Sequence, residues 1–207
     1  DDSNIFNTMG YREIFPGYAA NAWNVGTPGP FVAGSVVDQW LALAPPGAMQ
    51  QRSVIETSEG RVLVATRVTR PGGGDYRYDY VVMNLDFTRA ITTGAEPSLR
   101  IERNLGLSGL HVPLGGGATA MSTVFDDGDI SAGNDWTLAT SADALDWSAP
   151  AGADLAWGSL LRVRVHSAAA PRVGQLRLQI AEPGVPDHLL AGALVPDADT
   201  LFTDGFE

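Results

Sequence analysis

Neither cysteine nor lysine occurs among the 207 residues. The first absence excludes disulfides, thiolate catalysis and cysteine-bound metals. The second leaves arginine as the only basic side chain besides histidine: 13 of them against 24 acidic groups, for a net charge of −11. Such a balance disfavours nucleic acid as a partner, because affinity there rests on cations set against phosphate. It suits solubility and is compatible with calcium. Long apolar runs are missing too, and none nears the roughly 20 residues that span a bilayer. No secretory signal sequence stands at Asp1, so an exported chain would be present here in trimmed form.

What is abundant is punctuation. With 24 glycines and 13 prolines the chain favours many turns over long helices. A chain of this length buries roughly 70% of its unfolded surface, so it needs no crosslink or metal to fold.

The stretch Asp75 to Phe87 organises the rest. Tyr76, Tyr78, Tyr80 and Val82 fall on one side of a period-two pattern; Asp75, Arg77 and Asp79 begin the other, which turns apolar at Val81, Met83 and Leu85. Side chains of a strand point to opposite faces at each step, so this reads as a strand that starts at a sheet edge and runs into its centre. Before it, Gln51–Thr57 and Arg61–Arg70 form a hairpin around Ser58-Glu59-Gly60, and Pro71 to Gly74 turn into the Tyr-rich strand. After it, strands are expected at 98–103, 110–114, 118–125, 136–140 and 144–147. Leu161, Val163 and Val165 oppose Arg162, Arg164 and His166; Leu176, Leu178 and Ile180 oppose Gln175, Arg177 and Gln179. These two arms read as an antiparallel pair with one wet face.

Residues 1–30 read as loop with at most short strands, their aromatics (Phe6, Tyr11, Phe15, Tyr18, Trp23) covering the domain. Phe31–Leu43 reads as a strand, stopped by Pro45-Pro46-Gly47. Only His188–Leu194 is left as room for a short helix, and an acidic tail closes the chain. The expected fold is all-β: an antiparallel β-sandwich, immunoglobulin-like or jelly-roll-like, over residues 1–195 with a long N-terminal loop segment, followed by a tail over 196–207.

Few residues carry recognisable chemistry. His111, His166 and His188 are scattered, with no zinc-binding spacing. Gly106-Leu107-Ser108-Gly109-Leu110 misses the nucleophile-elbow pattern by one residue. The triple glycines at 72–74 and 115–117 have no following helix and no lysine to make a phosphate loop. Among 24 acidic residues carboxylate pairs arise by chance, so glycoside hydrolysis is a rival reading without its own signature. The loop from Asp126 to Asp135 is the most distinctive polar cluster. Asp126, Asp127, Asp129, Ser131, Asn134 and Asp135 offer oxygens at close quarters for calcium, though not in the EF-hand pattern, and calcium there would raise the melting temperature. Trp23 is the surface candidate for stacking on a sugar; Trp40, Trp136, Trp147 and Trp157 sit in or beside strands and read as core.

From Tyr78 onward the chain resembles a group of bacterial exported β-rich proteins. The resemblance is carried by Tyr78-Asp79-Tyr80-Val81-Val82-Met83-Asn84-Leu85, by Phe125-Asp126-Asp127-Gly128-Asp129, by Asn134-Asp135-Trp136 and Trp147, by Leu155-Ala156-Trp157-Gly158-Ser159-Leu160 and by Glu182-Pro183-Gly184. In that group the acidic loop is longer and carries histidines where Asp126 and Ser131 stand here. The resemblance implies export and a β-rich domain, and no reaction. The ending Phe202-Thr203-Asp204-Gly205-Phe206-Glu207 is similar to that of many exported, arginine-rich proteins of gammaproteobacteria, which implies a sorting or assembly role for Phe202, Asp204, Gly205, Phe206 and Glu207.

The expected function is a secreted or cell-surface module without catalysis, binding or structural, that assembles with itself by strand addition in adhesion, matrix or fibre formation. An extracellular carbohydrate-binding module or a carboxylate-pair hydrolase is the alternative. The partners are copies of the chain or a glycan; no nucleic acid, membrane span or cofactor other than calcium is expected.

Overall fold

The computed structural model describes residues 9–72 and 74–199. The chain falls into two compact units, Asp1–Ala44 and Pro45–Glu207. In the first, β1 (Gly10–Tyr11) pairs with β4 (Val32–Ala33), and β2 (Phe15–Ala19) with β3 (Ala22–Gly26). Ala20 and Asn21 close the second pair at φ 52° and 61°. A two-residue loop with both residues left-handed is the tight turn whose twist matches a hairpin.

The stretch 31–43 is not one strand. After β4 the backbone turns into helix α1 (Val36–Ala42). Ser35 is extended and its Oγ accepts from the Val37 amide at 3.1 Å, a side-chain cap that satisfies one of the helix's orphan donors. Val37 and Leu41, four apart, are its buried residues, so period 3.6 prevails over period two.

The second unit holds the remaining strands: β5 (Met49–Thr57), β6 (Gly60–Thr69), β7 (Tyr76–Asn84), β8 (Arg89–Thr93), β9 (Arg100–Leu105), β10 (Leu107–Pro113), β11 (Ser122–Asp126), β12 (Thr137–Thr140), β13 (Ala144–Ser148), β14 (Leu160–Ser167), β15 (Ala170–Ile180) and β16 (His188–Asp197). Two antiparallel five-stranded sheets run β12-β13-β10-β15-β16 and β11-β14-β7-β6-β5, beside a small β8–β9 ribbon. The fold is all-β, as expected from the alternation.

Tyr78, Tyr80, Val82, Leu161, Val163 and Val165 of one sheet share a single buried cluster with Leu110, Val112, Leu145, Trp147, Leu176 and Leu178 of the other. Each such side chain contributes on the order of 1.5–3 kcal/mol by leaving water. The Tyr78 hydroxyl donates to the Ala169 carbonyl at 2.7 Å, so its polar end is satisfied inside the core. Strand β7 is the middle strand of its sheet, and Val81 and Met83 on its second face are buried as well.

The expected pairing of 161–166 with 175–180 does not occur. β14 pairs with β7 and β11, while β15 pairs with β10 and β16. Alternation fixes which side faces the core but not which strand lies alongside. The crossing between sheets is made at Ser167, whose Oγ donates to the Thr119 carbonyl at 2.7 Å and accepts from the Ala169 amide at 3.1 Å. His188–Leu194 belongs to β16, not to a helix. Along one side β5 meets β16 through Ser53 Oγ, which donates to the Gly192 carbonyl at 2.8 Å. Along the other, Phe125 stacks on Trp136 with centroids 6.0 Å apart.

Candidate functional site

The acidic loop links β11 to β12 and is closed on itself. Asp126 accepts from Arg162 at 2.6 Å. Asp126, Asp127 and Asp129 each accept from the backbone amide two residues on, as short polar side chains do in turns. The Asn134 amide donates to Asp127 at 3.0 Å and to Asp129 at 2.9 Å, tying the loop's two arms. That bond, with the Ser131 amide, holds the Asp129 carboxyl below its ordinary range. Donors from the chain itself thus already meet carboxylate oxygens of Asp126, Asp127 and Asp129, three of the six residues read as calcium ligands. Among the described residues no three acidic, histidine or cysteine side chains stand together as a metal site. Among the described residues, Asp135 and the Ser131 side chain stand outside this hydrogen-bond network, and both residues lie exposed.

Under the loop, Trp136 Nε1 donates to the Ala153 carbonyl at 3.0 Å and Asp154 accepts from the Gly106 amide at 2.7 Å. A 240 Å³ recess there is lined by Asp127 and Asp154, but each already accepts a hydrogen bond from the chain. Gly106 belongs to packing: a Cβ there would come within 1.9 Å of the Leu155 carbonyl oxygen. Ser108 sits in strand β10, with no helix following, so the near-elbow is a strand segment.

Trp23 is 72% exposed. It stands opposite Tyr18 in the β2–β3 ribbon, with ring centroids 5.2 Å apart and planes tilted by 54°. Pro16 and Val25, the pair two steps away, share that face. Every residue of both strands is exposed, Phe15 and Tyr18 by more than half. From Ile14 to Pro30 there is no charged side chain. Of the tryptophans read as core, Trp136 and Trp147 are buried, but Trp157 is 67% exposed because it occupies the turn closed by Gly158 at φ 74°.

The chain has no significant match among family models, curated proteins or solved structures. The candidate residues Phe202, Asp204, Gly205, Phe206 and Glu207 lie outside the described residues. Among the described residues no helix is long and apolar enough to cross a membrane.

One arrangement escaped the linear reading. His111 Nδ1 lies 2.8 Å from Asp146 Oδ1, joining residues 35 apart in sequence. Among the described residues no serine hydroxyl hydrogen-bonds this histidine. The signal that could have found it is cross-strand register, since both residues are polar positions of adjacent strands.

Proposed function

We propose that this protein is an exported, non-catalytic module that associates with copies of itself through the β2–β3 ribbon. The observation that carries the reading is the ribbon's exposure: Phe15, Tyr18, Trp23 and Val25 all stand more than half in water. A two-stranded ribbon alone is marginally stable, and contiguous apolar surface of this kind marks an interaction site. Both outer edges of the ribbon are free of strand partners among the described residues, so main-chain pairing can add to apolar contact. The partner follows from charge. Two copies of a chain at −11 repel, and a segment without a charged side chain is where they meet at least electrostatic cost. The two five-stranded sheets, in this reading, form the sandwich that carries the ribbon. Export and a surface location rest on the family resemblance. Light scattering across a concentration series tests the proposal: mass rising with concentration supports it, and a constant monomer mass overturns it.

A further inference from the structure

A second surface, on the sheet β12-β13-β10-β15-β16, has the makings of a ligand site. Strand β10 has β13 on one side and β15 on the other. Two successive rows cross these strands: Asp146, His111 and Arg177, then Ser148, Gly109 and Gln179. Directly opposed residues stand about 5 Å apart between Cβ positions, so five polar side chains surround one position that has none. That vacancy at Gly109 is the floor of a 350 Å³ pocket lined by all six residues. The glycine serves space rather than backbone strain: a Cβ would approach Gln179 Cβ to 3.0 Å and the Trp147 carbonyl oxygen to 3.2 Å.

The walls are pre-oriented. The His111 ring is held by Asp146 at 2.8 Å, and the Gln179 amide donates to the Asp187 carbonyl at 2.8 Å. Arg177 makes no hydrogen bond or ion pair with the described residues, so its guanidinium donors are uncommitted. His111 keeps its Nε2 and Asp146 its second oxygen for a visitor.

We propose that this pocket binds a hydroxyl-rich carboxylate, a uronic acid unit of an acidic polysaccharide. Arg177 matches the carboxylate, for which a guanidinium offers paired donors. Asp146, Ser148, His111 Nε2 and the Gln179 carbonyl oxygen supply the acceptors and the hydroxyl that ring hydroxyls require. A phosphate dianion fits less well, because Asp146 stands on the rim with one oxygen uncommitted.

The test is an NMR titration of the whole chain with trigalacturonate, and with the neutral trisaccharide maltotriose as control. Trigalacturonate should shift the amides of 108–111, 146–148 and 177–179, and maltotriose should bind at least about tenfold more weakly. Arg177→Gln, an exposed change that leaves the core untouched, should weaken trigalacturonate binding by about tenfold or more. Absence of shifts at these amides, equal binding of the two sugars, or full affinity in R177Q would each overturn the proposal. Because the ribbon is remote in sequence from these strands, a monomeric chain that still binds trigalacturonate would separate this inference from the assembly reading.

Discussion

Arg164 Nε donates to Asp79 Oδ1 at 2.8 Å, straight across the β14–β7 ladder where the two residues are opposed. Arg77 Nε stands 3.1 Å from the other carboxylate oxygen. The Asp79 side chain is 1% exposed. Here the polar start of the Tyr-rich strand is not an exposed edge: it is a buried charge held between two guanidiniums. Removing one partner of such a set leaves the others uncompensated, at about 3–5 kcal/mol. Asp79→Asn should therefore lower the urea midpoint by that equivalent with little change in slope. A loss below about 0.5 kcal/mol, ordinary for a surface substitution, would show that the cluster is not held as described.

Acid should weaken the fold through two carboxylates in particular. Glu59, in the β5–β6 turn, accepts from Arg89 Nε at 2.7 Å and from its Nη2 at 2.6 Å, and these bonds hold its carboxyl below the ordinary range. Asp86 is lowered likewise by Arg61. A carboxyl depressed in the folded state contributes its full stabilisation above its unfolded value, near 4, and loses it as pH falls through the folded value. Urea midpoints should be flat from pH 7 to about 5 and drop below about 4. Glu59→Gln should lower the midpoint at pH 7 and flatten part of the acid drop. An unchanged acid profile in that variant would contradict the linkage.

Two neighbouring tyrosines should answer differently to loss of the hydroxyl. Tyr78 donates to Ala169, whereas the Tyr80 hydroxyl is fully buried with no hydrogen-bond partner among the described residues. Losing a satisfied bond costs about 1 kcal/mol, while deleting an unsatisfied buried group is neutral or stabilising. Thermal melts should thus fall for Tyr78→Phe and hold or rise for Tyr80→Phe. The reverse order would place the polar ends of these rings elsewhere.

The sequence expectation that calcium raises the melting temperature meets a competing arrangement within the loop itself. Arg162, Asn134 and backbone amides already serve the loop carboxylates, so melts with excess calcium and with a chelator should coincide. Asn134→Ala should instead destabilise the β11–β12 connection by about 1 kcal/mol. A calcium-dependent rise in the wild type would mean that the loop opens to take the ion.

How much of this was legible beforehand depends on the range of the signal. Alternation placed Tyr78, Leu161, Val163 and Leu176 on inward faces correctly, because period is a local property. It could not pair 161–166 with its true neighbours, because two amphipathic arms joined by a short link look alike whether they share a sheet or change sheets at Ser167. In 31–43 the serine cap and the Val37–Leu41 spacing were present but competed with a strand-like apolar run. The Asn84 side chain donates to the carbonyls of Phe87 and Leu155 at 3.0 and 2.9 Å; the sequence displayed the residue without its distant partner. His111, Asp146 and Arg177 meet only through register, which no linear pattern displays.

The most direct measurement is sedimentation or light scattering of the wild type beside a double substitution, Tyr18→Ser with Trp23→Ser. Both side chains are exposed, so the second unit should fold unchanged, as circular dichroism would confirm. The account predicts that wild-type mass climbs with concentration while the double variant stays at the mass of one chain. A wild type that remains monomeric throughout, or a variant that assembles as readily, would contradict it.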